Sequence, residues 1–205
     1  MKKLYVVGGA VHYTNWLIPL GFELVDNAKK ADVFMFTGGE DVSPEVYGHE
    51  NICSGNNLER DIAEIRFFVY AKNNKIPMIG VCRGSQFLGA MSGAKLIQDM
   101  YHPHYHHVTT FDGQNFTANS THHQAVFIPE NMVKGVDYEL LAWADNISGK
   151  YTFADKSVKF PKGYKETECT WWAKTQCLGI QSHPEDTLGT PWNAWLQSIV
   201  QKYIL

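Results

Sequence analysis

The sequence predicts an α/β protein with a mostly parallel central sheet covered on both faces by helices. Three observations carry this: short, wholly apolar runs in the first half, helix-like stretches between them, and glycines where the runs end. Leu4–Val7 reads as a strand ending in Gly8-Gly9, and a helix is expected before the next run. Phe22–Val25 and Val33–Phe36 read as two more strands, the latter ending in Thr37-Gly38-Gly39. Residues 40–57 hold Gly, Pro, Ser and Asn and read as a long loop, a kind of segment that is often functional. From Leu58 to about Lys75, Leu58, Ile62, Ile65 and Val69 recur at helical spacing, with Asn57 as the cap. Pro77–Val81 is a short buried strand, Cys82 follows, and Arg83–Gly93 reads as a helix. Residues 94–182 are richer in β-branched and aromatic residues, with turn signals at Asp112-Gly113 and Ser148-Gly149. They read as added antiparallel strands ending in a returning strand, Cys177–Gln181. Pro191–Ile204 closes as an amphipathic helix with proline at an early position.

The 205 residues suit one domain, 1–205, with 44% hydrophobic and 19% charged residues. A net charge of −3 leaves no basic field for nucleic acid. The apolar run near the N-terminus is too short for a signal peptide. No stretch reaches the ~18 apolar residues of a membrane helix. A cytoplasmic protein is therefore expected. The cysteines Cys53, Cys82, Cys169 and Cys177 are widely spaced, which argues against a disulfide framework or zinc site.

Gly80-Val81-Cys82-Arg83-Gly84-Ser85-Gln86 runs from a strand through a glycine-flanked turn into a helix. This is the setting of a nucleophile elbow. The helix N-terminus favours negative charge at Cys82, the condition that makes a thiol reactive. The local pattern alone fits a buried, inert cysteine equally well. About a hundred residues further on comes Gln181-Ser182-His183-Pro184-Glu185. A thiol nucleophile needs a histidine base and a group that orients it. Extended backbone before Pro184 would let His183 and Glu185 project from one strand end. Taken alone, that pair would read as a surface histidine beside a solvated glutamate.

Together GVCRGSQ and QSHPE resemble the class I, or triad, glutamine amidotransferases. The arginine after the cysteine resembles the γ-glutamyl hydrolase branch. So do Thr37–Gly48 (TGGEDVSPEVYG) and Asn119–Val126 (NSTHHQAV), in the expected order. The resemblance implies a flavodoxin-like three-layer α/β/α sandwich. It implies Cys82 as nucleophile, His183 as base and Glu185 as its orienting partner. The oxyanion would be met by backbone N–H groups of Arg83 and of Gly38 or Gly39. Gln86, His122, His123 and Gln124 would hold the glutamyl portion. The intermediate would be a γ-glutamyl thioester, and no cofactor is implied. About thirty residues separate the first strand from Gly38, fewer than in small-amine hydrolases, so a helix or lid is trimmed.

His102, His104 and His106 alternate, and a strand would present all three on one face. No carboxylate or cysteine lies within that cluster and Pro103 interrupts it, so no metal is expected there. It reads instead as a polar strand at the rim of the site, with His102 or His107 lining the pocket. Trp171, Trp172, Trp192 and Trp195 read as packing residues. Asp41 orders the loop behind Gly38-Gly39 or caps a turn. No phosphate loop is present, so the chain does not activate an acceptor with ATP by itself.

Two functions fit best. One is a glutaminase that supplies ammonia to a separate synthase or ligase. The other is a free-standing hydrolase of small γ-glutamyl amines or peptides. A third is an idle scaffold on the same fold, against which the intact Cys82, His183 and Glu185 argue.

Overall fold

The computed structural model describes residues 1–128, 137–145, 147–153, 156–159 and 162–205. The first half of the chain contains β1 (Lys3–Val7), β2 (Glu23–Leu24), β3 (Val33–Phe36), α1 (Leu58–Asn73), β4 (Met78–Val81) and α2 (Arg83–Met91). Then follow β5 (Lys95–Ile97), β6 (Asp99–Met100), β7 (Tyr105–Thr110), β8 (Asn115–Asn119) and β9 (Ala125–Phe127). The last part holds β10 (Glu139–Asp145), β11 (Lys150–Phe153), β12 (Lys156–Lys159), β13 (Lys165–Trp172), β14 (Cys177–Ile180) and α3 (Pro191–Tyr203).

Among the described residues nine strands form one sheet, in the order β2-β1-β3-β4-β14-β13-β10-β7-β8. The strands from β2 to β14 are parallel. Beyond β14 the pairing turns antiparallel. β5 pairs with β9, and β11 lies between β12 and β6. The β7–β8 turn falls at Asp112-Gly113, where Gly113 takes a positive φ of 79°.

The apolar runs are continuous because both faces of the parallel strands are covered. On one face Val33 and Met35 pack with Trp16, Leu17, Trp192, Leu196 and Ile199, from the N-terminal segment and α3. On the other, Phe34 and Phe36 pack with Phe68, Phe87 and Leu88, from α1 and α2. The expected layered α/β architecture is thus present. Trp172, Trp192 and Trp195 are buried, as packing residues should be. No described helix is long and apolar enough to cross a membrane.

Two elements differ from expectation. The helix between β1 and β2 is a 3-10 segment, Val11–Leu20, and β2 shrinks to two residues at the sheet edge. In α1 the Asn57 side chain caps Arg60 N at 3.1 Å as anticipated. Its inward residues, however, are Asp61, Glu64, Phe68 and Ala71. Leu58, Ile62 and Val69 are exposed. The physical reason is Arg83 at the start of α2. Its guanidinium, 1% exposed, is held by Asp61 and Glu64. Two acids therefore take the inward face that apolar spacing alone would assign elsewhere.

Truncating one member of a buried ion cluster strands the others without counter-charge. Arg83→Met leaves buried Asp61 without a counter-charge and buried Glu64 with Arg60 alone. The expected loss is about 3–5 kcal/mol of unfolding free energy, read from urea denaturation. A loss below about 1 kcal/mol, the scale of an exposed ion pair, would contradict the clamp.

Candidate active site

β4 delivers Cys82 to a sharp turn. Its backbone sits at φ 52° and ψ −112°, and Arg83 already begins α2. A positive φ at a residue with a side chain is strained by about 1–3 kcal/mol. The turn is held by Cys82 N–H donating to Ile180 O at 2.8 Å and Gln86 N–H donating to Cys82 O at 3.2 Å. Its glycines are demanded by close approach. A Cβ on Gly80 would collide with the Gly84 carbonyl, and one on Gly84 would collide with the Phe36 carbonyl. The Cys82 side chain opens into a pocket at the C-terminal ends of the parallel strands, where open α/β sheets place their ligands.

The same sheet end receives His183. β14 runs parallel to β4 with Ile180 opposite Val81. The residues after each strand therefore leave side by side. Asn119 Oδ1 accepts from His183 N at 3.1 Å, and Asn193 of α3 donates to Pro184 O at 2.8 Å. His183 Nδ1 lies 2.8 Å from Glu185 Oε1. Nε2 lies 2.9 Å from Thr121 Oγ1. Burial opposes a charged His183. The hydrogen bonds to Cys82 and Glu185 outweigh it, and the imidazole is raised to about 10. Cys82 and His183 line the same pocket, and Glu185 holds the imidazole at Nδ1.

Around them the other anticipated residues separate. Gly39, at φ 140°, lines the pocket. Gly38 lies beside the Tyr13 hydroxyl, and its carbonyl accepts from Arg60 Nη2 at 3.0 Å. Gln86 and His122 also line it, each bonded to the Gln124 carbonyl: Gln86 Nε2 donates at 2.5 Å and His122 Nδ1 lies at 2.9 Å. His123 stands half-exposed at the mouth, 3.2 Å from Asp41 and 3.2 Å from Asp99. The hydrogen bond to Asp41 leads in raising His123 to about 9, against its partial burial. Gln124 is fully buried and its amide is bonded to Val42 N and Val42 O. That side chain supports the loop after Gly39 and does not line the pocket. Asp41 also accepts from Ser54 Oγ at 2.9 Å, so it orders this loop.

The histidine cluster departs from the alternating-strand reading. β7 begins only at Tyr105. His104 turns away to Ser120 O at 2.9 Å, while His102 and His106 converge on Glu168. His102 lies behind His122, not in the pocket, and His107 lines a separate groove beside Trp192. Four pocket groups escaped the sequence reading, among them Gly55 in the loop after Gly39. Thr121 and Glu40 sit inside matched motifs and were readable there. Tyr13 sits in a segment that no motif marks.

A family model described as Peptidase C26 matches residues 17–134, more than half of the chain. The chain belongs to the Peptidase C26 family. It falls within the class I glutamine amidotransferase superfamily, as its motifs suggested. YvdE of Lactococcus lactis, a glutamine amidotransferase-like protein, is 28% identical over 165 residues, covering 68% of this chain and 67% of the relative. Protein NtpR of Enterococcus hirae is 26% identical over 144 residues, covering 52% of this chain and 60% of that one. Among solved structures, a GMP synthase-type subunit from Thermoplasma acidophilum superposes with a TM-score of 0.61 at 18% identity, covering 100% of this chain and 92% of that one. A glutamine amidotransferase from Thermotoga maritima gives 0.58 at 13% identity, with 98% and 84% covered. These likenesses establish the flavodoxin-like α/β fold.

A histidine raised in the folded state contributes stability that is fully present below its unfolded value of about 6.5. That contribution is lost as pH rises through about 9 for His123. An NMR titration of the ring carbons should find His123 protonated at pH 7, and Asp41→Asn should move its midpoint down. An unchanged midpoint in Asp41→Asn would contradict the pairing.

Proposed function

We propose that the chain is a cysteine hydrolase of γ-glutamyl amide bonds, acting through a thioester on Cys82. The observation that carries this is the strained Cys82 turn, which shares one pocket with a histidine whose Nδ1 is held by Glu185. Cys82 Sγ attacks the γ-carbonyl carbon with its proton already held by His183, whose raised proton affinity keeps the imidazole charged at neutral pH. The carbonyl oxygen gathers charge, which backbone N–H groups of Arg83 and Gly39 would meet. Collapse of the tetrahedral adduct breaks the C–N bond, and His183 hands its proton to the leaving nitrogen. Water, deprotonated by His183, then cleaves the thioester and restores the thiol. Glu185 stabilises the imidazolium formed at each stage. We read residues 1–205 as one domain working in a reducing compartment, in keeping with the four unpaired cysteines.

The leading reading within this chemistry is a glutaminase that feeds ammonia to a separate synthase or ligase. What favours it is the 3-10 segment. It carries Tyr13 to the pocket and exposes Val11 and Ile18 on its outer side, next to exposed Leu24. Such a patch suits a docked acceptor enzyme whose arrival is felt at Tyr13. A second reading, hydrolysis of γ-glutamyl amines, is favoured by Glu40 and Asp41 at the mouth, which would attract a cationic leaving amine.

Cys82→Ala and His183→Ala should each lower kcat by about 10⁴ or more with circular dichroism unchanged. Glu185→Gln should cost one or two orders less, as loss of the third triad member does elsewhere. Residual turnover near wild type in Cys82→Ala would end the assignment. A substrate panel separates the two readings. Slow glutamine hydrolysis, with γ-glutamyl amines no faster, supports the partnered glutaminase. Fast, selective turnover of a γ-glutamyl amine with glutamine ignored rejects it.

A further inference from the structure

Behind the pocket wall lies a second cluster that the chemistry above does not use. His102 Nε2 is 3.4 Å from Glu168 Oε1, and His106 Nε2 is 2.9 Å from the same oxygen. These three donor atoms all lie within 4.8 Å of one another. The side chains are almost wholly shielded: His102 and Glu168 are each 1% exposed and His106 is 2%. His122 stacks its ring 4.5 Å from that of His102. Its Nδ1 faces the Gln124 carbonyl, which makes Nε2 the lone-pair nitrogen of that ring.

The set is poorly satisfied as it stands. Among the described residues, both ring nitrogens of His102, His106 Nδ1, His122 Nε2 and Glu168 Oε2 are buried without a hydrogen-bond partner. Each such orphan costs about 1–3 kcal/mol, and one donor atom each of His102, His106 and Glu168 lies within 4.8 Å of the others. Glu166 Oε2 also lies 3.6 Å from His102 Nε2, beyond a normal hydrogen bond, while its oxygens accept from the backbone and hydroxyl of Ser148. The Pro103 carbonyl lies near both His102 and His106. A carbonyl in that place would orient the rings of metal-bound histidines from behind.

We propose that His102, His106 and Glu168 form a site for a divalent transition ion of the zinc class. Imidazole nitrogens and a carboxylate oxygen are the donors such ions take. On a tetrahedral zinc with bonds of about 2.0–2.1 Å, neighbouring donor atoms lie about 3.3 Å apart. The distances of 2.9 and 3.4 Å bracket that value. Binding replaces the proton now shared by His106 and Glu168 with the ion, and that proton leaves to solvent. The absence of a carboxylate from the 102–107 run, which argued against a metal in the sequence, is made good by β13. The ion would join the segment before β7 to β13 and brace the His122 wall from the side opposite the substrate.

The test uses the full chain, stripped with a chelator and loaded with Zn²⁺ or Co²⁺ alone. Elemental analysis after buffer exchange should give one ion per chain. The Co²⁺ form should show the visible absorption of a tetrahedral complex, and Zn²⁺ should raise Tm. His102→Asn and Glu168→Gln should each lose the ion and the Tm rise. Should either variant fail to fold, retention of the ion and its Co²⁺ spectrum by His183→Ala decides the point. No ion retained by wild type overturns the proposal. So does an ion that survives His102→Asn but is lost in His183→Ala, since it would then sit at His183, Glu185 and Asp186, which also cluster.

Discussion

The Arg83 guanidinium lies almost wholly out of water between Asp61 and Glu64. Its own backbone is the first residue after Cys82, so whatever fixes the guanidinium fixes the turn. Glu64 also binds Arg60 Nε at 2.9 Å, and Arg60 reaches the carbonyls of Thr37 and Gly38. Asp61 accepts from Ser43 N at 2.9 Å. One helix face of alternating charge thus ties the Cys82 turn to the glycine loop across the pocket. Burying so many charges is favourable only where each is matched. The matching sets the orientation of α1, and through α1 the relative position of two loops that no strand joins.

Much of this architecture is legible in the residues themselves. The uniform apolar runs at Val33–Phe36 and Pro77–Val81 told of strands covered on both faces, because period-two alternation was missing. The glycines around Cys82 told of a turn too tight for side chains. The histidine and glutamate two apart across a proline told of a second strand end. What resisted reading was partner choice over long separations. Asp61 and Glu64 look like the solvated face of a helix until Arg83 is placed opposite them. Gln124 sits in a motif that suggests substrate, yet its amide is spent on Val42, 82 residues away. His104 alternates with His102 and His106 in sequence, but β7 starts only at Tyr105 and includes His106 alone of the three. Glu168 is the cluster's carboxylate, and only the antiparallel addition of β13 and β10 beside β7 brings it there.

The segment 119–125 shows how a short stretch can serve several neighbours. Asn119 seats the His183 backbone, and Thr121 meets its imidazole. The Gln124 carbonyl takes both Gln86 and His122, while its side chain holds the loop after Gly39. The pocket wall is therefore a single piece of chain whose polar groups face both inward and outward. Any displacement of it shifts the base, the floor and the glycine loop together. That coupling is why a buried cluster on its hidden side bears on the pocket without touching a substrate.

The place of β14 has a consequence in time. It sits between β4 and β13, so the middle of the sheet stays open until the last quarter of the chain arrives. A nascent chain carries Cys82 out of the ribosome about a hundred residues ahead of His183. At usual synthesis rates that interval is roughly 5–20 s. During it the turn lacks the Ile180 carbonyl that holds Cys82 N. Insertion of one strand completes the sheet and joins the two halves of the site in the same event. The Cys82 turn and the strand end that carries His183 therefore stay apart until β14 is in place beside β4.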